Sequence, residues 1–352
     1  MKISVSNFNK KSMSKFLPIC NVRSPLPILS NLLLSANNNK LSIMAFNLEV
    51  SVKEEFDAEV IEPGSITVSG KKLSDIIDKL TSERIDIVST EHTVTIEQGT
   101  SKFMLHTLSA DDFPVIYEFP GQEITVETGI LLDAVKKVSY AVSSDDSRFN
   151  LNAMFWDADK FVATDGHRLA KMELPFKIEG KALIPQVGCQ SILKCLGANN
   201  TCKITVGEKF ISITSGDVTL NCRMLDGDFP DYTRVIPTES GISLLANTNE
   251  LTQVLKRVTP MAIQTDMGIK VVVSNNKLTV SKESSLGSAE DSMTVESDGD
   301  FDFIANAKYL TDCLANINTE STVMSFIKEG APIVFKPEDN ETFMSLVMPM
   351  RK

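Results

Sequence analysis

The chain reads as an α+β protein built from three tandem copies of one helix–strand domain, and three observations lead there. The same order of patterns (amphipathic helix, hairpin, amphipathic helix, short alternating strands) occurs three times along 352 residues. A spacing of 116 residues separates Phe113 from Phe229 and also Leu80 from Leu196, close to one third of the chain. Each copy is long enough to bury a core of its own, so the repeat is a domain and not a solenoid turn. The expected domains are 1–120, 121–240 and 241–352, joined near Tyr117–Glu123 and Pro237–Leu244 without long low-complexity linkers. Runs of strands with two helices per copy predict helices packed on one face of antiparallel sheets.

In the first copy, Met13, Phe16 and Leu17 share a helical face, with Lys11 and Lys15 off it. Leu32–Leu34 and Leu41–Ile43 flank the asparagines 37–39, a hairpin signal. Leu73, Ile76, Ile77 and Leu80 recur at i, i+3, i+4, i+7 and mark a second amphipathic helix, with Lys71, Lys72 and Lys79 outside the stripe. The second copy repeats this with Leu131, Ala134, Val135 and Val138, then the hairpin Met154–Trp156 and Phe161–Ala163. Its second helix has Ile192, Leu193 and Leu196 inward and Lys194 outward. In the third, Leu251, Val254, Leu255 and Val258 precede the hairpin around Asn275-Asn276. Tyr309, Leu310, Cys313, Leu314 and Ile317 then form the last helix, with Lys308 beside it.

Apolar content of 42% with 23% charged residues is that of a soluble globular protein. A net charge of −11 repels nucleic acid and anionic membranes, so any DNA contact needs a locally basic surface. The helices supply one, because each carries Lys or Arg off or beside its core stripe, including the pairs Lys136/Lys137 and Lys256/Arg257. Three such domains arranged with these helices inward would line an axis with positive charge. Contacts from Lys and Arg to phosphate are independent of base sequence and sensitive to salt.

The N-terminus lacks the apolar run of a signal peptide, no segment is long and apolar enough for a membrane span, and a cytoplasmic location is expected. The six cysteines include no C-x-x-C pair and read as reduced core thiols. The three histidines are not at metal-ligand spacing, so neither a metal nor a cofactor is expected. Residues 64–72 imitate a phosphate loop, but five residues separate the glycines and Lys72 replaces the Mg²⁺-binding hydroxyl. Asp165 and His167, flanking Gly166, permit a hydrolase reading, yet no nucleophile or oxyanion site lies near them. The expectation is a protein without catalysis.

The segments ATDGHRLA (163–170), DGDFPDYTRVIP (226–237) and VMPMR (347–351), with RSPLPILSNLLL (23–34) and RFNLNAMFW (148–156), resemble the bacterial DNA polymerase III beta subunit, the sliding clamp, from end to end. The resemblance implies a head-to-tail homodimer of six domains. This ring encircles duplex DNA, is opened by a clamp loader and tethers the replicative polymerase.

It also implies a pocket for partner peptides bearing leucine and aromatic anchors. The positions that match its wall are Leu151, Thr164, Gly166, His167, Arg168, Leu169, Pro230, Arg234, Val235, Tyr309, Leu346, Val347, Met348, Pro349, Met350 and Arg351. Methionines suit a groove shared by many partners, and the arginines suit peptide carbonyls or acids. For DNA the matching positions are Arg23, Lys71, Lys72, Lys79, Lys136, Lys137, Phe149, Lys256 and Arg257. Asn150 and Val187 depart from the family's usual aromatic and basic residues there, and Asp145 sits near an expected polar DNA contact. At the dimer contact, Lys102, Phe103 and Leu105 are expected to meet Pro260, Met261, Glu290 and Asp291, with Lys102 facing one of the two acids. The remaining alternative is a DNA-binding scaffold that uses the same repeat without closing a ring.

Overall fold

The computed structural model describes residues 1–351 except 7, 9, 21–25, 82–83, 115–117, 198–199 and 240, and the side chain at position 10 is also left aside. Arg23 therefore lies outside the described residues.

The first repeat runs β1 (Lys2–Ser6), α1 (Lys10–Cys20), β2 (Asn31–Asn37), β3 (Lys40–Phe46), β4 (Val50–Glu62), β5 (Gly64–Ser69), α2 (Gly70–Ile77), β6 (Arg84–Ser89), β7 (Thr93–Gln98) and β8 (Ser101–Leu108). The second has the same ten elements: β9 (Gln122–Glu127), α3 (Thr128–Ser139), β10 (Ala153–Asp157), β11 (Lys160–Thr164), β12 (Arg168–Glu173), β13 (Lys181–Pro185), α4 (Gln186–Cys195), β14 (Thr201–Val206), β15 (Phe210–Ser215) and β16 (Val218–Arg223). The third is β17 (Ile242–Asn247), α5 (Thr248–Val258), β18 (Gly268–Ser274), β19 (Lys277–Ser284), β20 (Gly287–Thr294), a two-residue β21 (Glu296–Ser297), β22 (Phe301–Asn306), α6 (Ala307–Leu314), β23 (Ser321–Phe326), β24 (Ile333–Pro337) and β25 (Phe343–Val347).

By contacts the chain forms two compact units that divide the second repeat: residues 1–132 with 187–224, and residues 133–186 with 225–352. In the first unit a twelve-stranded sheet runs β1-β6-β7-β8-β5-β2-β3-β4-β16-β15-β14-β9, and β1 also pairs β4. In the second, a nine-stranded sheet runs β13-β10-β11-β12-β25-β24-β23-β17-β21 beside a four-stranded sheet β20-β19-β18-β22. One rule recurs inside each unit. The last strand of a repeat pairs antiparallel with the fifth element of the repeat before it: β16 on β4, and β25 on β12. Strand hydrogen bonds at these joins explain why the second repeat is shared between units.

Hairpin chemistry follows the turn residues. Asn38 and Asn39 between β2 and β3, and Asn275 and Asn276 between β18 and β19, all take positive φ, the geometry of the tight turn that suits right-twisted strands. Helix starts are capped by side chains: Ser69 accepts from the Lys72 N–H, Asn247 from Glu250 and Asn306 from Lys308. The inward stripes are buried, with Met13, Phe16, Leu73, Ile77, Leu131, Val135, Leu251, Val254 and Leu310 nearly inaccessible. Each such side chain contributes about 1.5–3 kcal/mol of transfer free energy. Two expectations need correction. Leu193 is 37% exposed, because Cys189 and Cys195 complete the inward stripe of α4. Leu80, Leu196 and Ile317 lie beyond the ends of α2, α4 and α6. All six cysteines are buried free thiols.

Candidate functional site

The turn between β11 and β12 is built by its own side chains. The Asp165 carboxylate accepts from the backbone N–H of His167 at 2.9 Å and of Arg168 at 3.0 Å, and its other oxygen accepts from Arg168 Nε at 3.0 Å. Thr164 Oγ1 donates to the Arg168 carbonyl at 2.6 Å and accepts from the Gly166 N–H at 3.0 Å. Gly166 sits at φ +87°, where a Cβ would come within 2.5 Å of Arg148 Nη1, which donates to the Asp165 carbonyl. This occupies the Asp165 carboxylate in the turn. It forms no hydrogen bond to the His167 imidazole, which lies against Tyr309 with ring centroids 6.3 Å apart. The acid–imidazole pair that a hydrolase would need is not assembled.

The turn forms one edge of an apolar cavity of about 170 Å³, lined by Leu151, Thr164, Gly166, Arg168, Leu169, Pro230, Asp231, Tyr232, Val235, Pro332, Leu346 and Met348. Pairing of β12 with β25 sets Leu169 opposite Leu346, and the Met348 N–H continues the join to the His167 carbonyl at 2.8 Å. A core of Ala153, Phe155, Val162, Leu183 and Val334 supports the floor, with Phe229 stacked on Phe155 at 4.8 Å. Tyr232 donates its hydroxyl to Asp157 at 2.9 Å; burial first, then that bond, raises its pKa. Rigid walls and an apolar lining with few polar groups are the ordinary features of a small-ligand or peptide-anchor site.

Arg168 is held inside the protein. Its guanidinium bonds Asp165 and also Asp312 at 2.6 Å, and lies 4.7 Å from the Tyr309 ring centroid and 5.3 Å from that of Tyr140. Burial alone would lower its pKa, but the two carboxylates outweigh burial and raise it. Its charge is thus matched within the chain, against the expectation of an arginine open to peptide carbonyls or acids.

Comparison with known proteins decides the family. Domain profiles of the DNA polymerase III beta subunit match in order: the N-terminal domain over residues 1–117, the central domain over 125–231 and the C-terminal domain over 233–351. The chain belongs to the DNA polymerase III beta subunit family, the beta sliding clamps. It is 31% identical over 343 residues to the beta sliding clamp of Pseudomonas aeruginosa, covering 94% of each chain, and 28% identical to that of Caulobacter vibrioides, covering 97% of each. The solved clamp of P. aeruginosa bound to griselimycin superposes with a TM-score of 0.93 at 28% identity and complete coverage of both chains. The Thermotoga maritima beta subunit gives 0.92 at 27% identity, covering 100% of this chain and 99% of the other.

Of the sixteen positions expected for a clamp's partner pocket, Leu151, Thr164, Gly166, Arg168, Leu169, Pro230, Val235, Leu346 and Met348 line the cavity. His167 and Tyr309 stack together beside Arg168. Arg234, 82% exposed on its side chain, is paired with Asp231 at 2.9 Å. Pro349, Met350 and Arg351 continue past β25, where the Met350 N–H donates to the Ile304 carbonyl. Val347 needs correction: it has no exposed surface, since strand alternation turns it away from the side on which Leu346 and Met348 line the cavity. Asp231, Tyr232 and Pro332 were missed. The first two lie inside the DYTRVIP segment, but Pro332 had no local signal, because only the pairing of β24 with β25 brings that loop to the site.

The basic residues fall into two groups. Lys71, Lys72, Lys136, Lys194 and Lys256 are exposed on or beside their helices, as is Lys79, although Asp78 lies 3.4 Å from its ammonium, and Phe149 is 51% exposed. Lys15, Lys137, Arg257 and Lys308 are ion-paired with Glu54, Asp133, Asp291 and Asp312, the first two largely covered and the last two still exposed. Lys137 is the clearest correction, since its largely covered ammonium lies 2.8 Å from Asp133 and packs near Phe343. Arg257 also meets Asp291 but keeps 56% of its side chain exposed. Phe103 and Leu105 lie half-buried on β8, with Lys102, Met104 and Leu108 exposed on the same strand. Pro260, Met261, Glu290 and Asp291 cluster where the turn after α5 meets β20.

Among the described residues no helix is long and apolar enough to cross a membrane, and no cluster of metal-ligating side chains is present.

Proposed function

We propose that two copies of this chain close head to tail into a ring of six domains, with boundaries at 1–120, 121–240 and 241–352, around duplex DNA. The ring acts in the cytoplasm, slides without base specificity and performs no chemistry. Through the cavity beside Gly166 it tethers the replicative polymerase, the clamp loader and other proteins that carry an apolar anchor peptide. Tethering raises the partner's effective concentration at DNA without requiring a tight phosphate contact. Lys71, Lys72, Lys79, Lys136, Lys256 and Phe149 are the DNA-facing residues in this reading.

The observation that carries it is the strand rule. Twice within the chain the last strand of one repeat pairs with the corresponding strand of the repeat before it. The remaining strands of those two kinds are β8 and β20. β8 is bonded along its length only by β7, meeting β5 at Thr67 and Val68, and β20 is bonded by β19. Both present an open edge, and open edges pair. Phe103 holds in β8 the place of Leu220 in β16, each opposite a buried isoleucine, Ile96 or Ile213. Transferring the register of Leu220 on Val52 sets Phe103 opposite Ala289 and Lys102 opposite Glu290 of the second copy. Asp291 is already paired with Arg257, so Glu290 is the acid we assign to Lys102, which now meets Glu97 and would exchange it on dimerisation.

Light scattering with small-angle X-ray scattering at low micromolar concentration tests the ring. The expected result is twice the 38.7 kDa of one chain with a hollow profile, and slower release from circular than from linear duplex. A compact monomer that leaves both DNAs equally fast would refute the ring and favour an open scaffold.

A further inference from the structure

Asp312, on α6, bonds in two directions at once. Its Oδ2 accepts from Arg168 Nη1 at 2.6 Å and from Lys308 Nζ at 2.6 Å. Arg168 lines the apolar cavity and also a second, more polar one of about 370 Å³ that includes Tyr140, Gln186, Lys308, Asp312 and Asn316. We infer that Asp312 is a positioning residue shared by the two faces: through Arg168 it fixes the wall of the partner cavity, and through Lys308 it restrains a cation on the DNA side. The second half rests on the ring reading, and the first on the reading of the cavity as a peptide site.

The packing around Arg168 is that of a strut. Its guanidinium lies near the rings of Tyr140 and Tyr309, with Asp165 at one end and Asp312 at the other. The Tyr140 hydroxyl is within 2.6 Å of Ser345 Oγ, which donates to the Leu169 carbonyl at 3.2 Å, and Leu169 lines the cavity. The strut thus ties α6 to the turn at Gly166 and to the floor beneath it. The charges also cancel, Arg168 and Lys308 against Asp165 and Asp312. Arg168 therefore offers a partner's carboxylate little net attraction. A short, charge-assisted bond inside a half-dry site loses much of its value when one partner becomes neutral, and the freed groups reorient.

The test uses the full-length Asp312→Asn variant and two labelled peptides with the same leucine and phenylalanine anchors, one bearing glutamate where the other has glutamine. Affinity for the glutamine peptide should fall roughly fivefold to tenfold, and for the glutamate peptide by no more than that, since the variant leaves Arg168 less fully matched. With a short duplex, the plot of log affinity against log salt should steepen by about one unit as Lys308 is released. Adding Lys308→Met should restore the slope and leave the peptide loss in place. Arg168→Lys guards against a folding artefact: it should weaken both peptides while the salt slope stays that of the parent. A loss confined to the glutamate peptide would show that Arg168 reads the acid directly and would overturn the inference, as would unchanged peptide affinity. An unchanged salt slope in Asp312→Asn would overturn the Lys308 half. A parent protein whose DNA binding ignores salt would also overturn that half, by striking the DNA reading itself, and the peptide result would still stand or fall alone.

Discussion

Replacing Gly166 by alanine tests the turn on which the partner cavity depends. Gly166 sits at φ +87°, a region that costs an L-residue about 1–2 kcal/mol. The added Cβ would lie 2.5 Å from Arg148 Nη1, so the Arg148 side chain must swing away from the Asp165 carbonyl that it now bonds at 3.0 Å. Losing that exposed bond adds about 0.5–1 kcal/mol. The loss should therefore be about 1.5–3 kcal/mol. Trp156, the only tryptophan, is fully buried in the same compact unit and reports its unfolding by fluorescence in urea. With a slope of about 2 kcal/mol/M, the midpoint should fall by about 1 M. The first repeat supplies an internal control. Asn47 accepts from the N–H groups of Glu49 and Val50 just as Asp165 does from His167 and Arg168, and the residue at the tip, Leu48, has φ +76°. Leu48→Gly should thus be neutral or stabilising, because relief of strain offsets the entropy of the added glycine. A Trp156 midpoint unchanged by Gly166→Ala, or a marked loss from Leu48→Gly, would refute the argument from backbone strain.

Phe103→Asp should break the proposed β8–β20 contact, since burying an unpaired carboxylate costs about 3 kcal/mol, and light scattering should then show a 38.7 kDa species at concentrations where the parent is a dimer. Removing Lys71 and Lys72 together should lower the salt slope of duplex binding by about 0.9 per lysine. Lys137→Ala should leave that slope unchanged, because its ammonium is paired with Asp133; equal effects in a salt titration would show that the pairing does not hold against DNA. Burial raises the thiol of Cys20 to about 11 and those of Cys195 and Cys313 to about 12, so a disulfide reagent at pH 8 should label the native protein slowly and the denatured protein six times. The sign for stability follows. Above pH 9 the unfolded chain ionises these thiols while the native chain keeps them neutral, so stability should fall as pH rises from 9 toward 12, measurable by urea midpoints.

The repeat was legible because its signals are local. Paired asparagines at 38–39 and 275–276, apolar stripes at helical spacing and the 116-residue interval need no tertiary knowledge, and they place helices and hairpins well. What escaped depends on which partner each side chain finds once the chain is folded. A lysine off an apolar stripe looks free whether or not an acid waits for it. Lys136 is exposed, whereas Lys137, one residue on, is drawn to Asp133 by the turn of its own helix. Arg168 looked like a hand extended to a peptide. Only pairing of β12 with β25 and packing of α6 bring Asp312, 144 residues away, to neutralise it. The same logic applies at the chain end, where VMPMR marks the site but strand alternation selects its lining: Leu346 and Met348 border the cavity and Val347 faces the core. Local composition thus locates a clamp's pocket, while the strand joins between repeats determine which side chains a partner meets. Those joins also leave β8 and β20 open, so one pairing rule underlies both the pocket within a chain and the proposed contact between two.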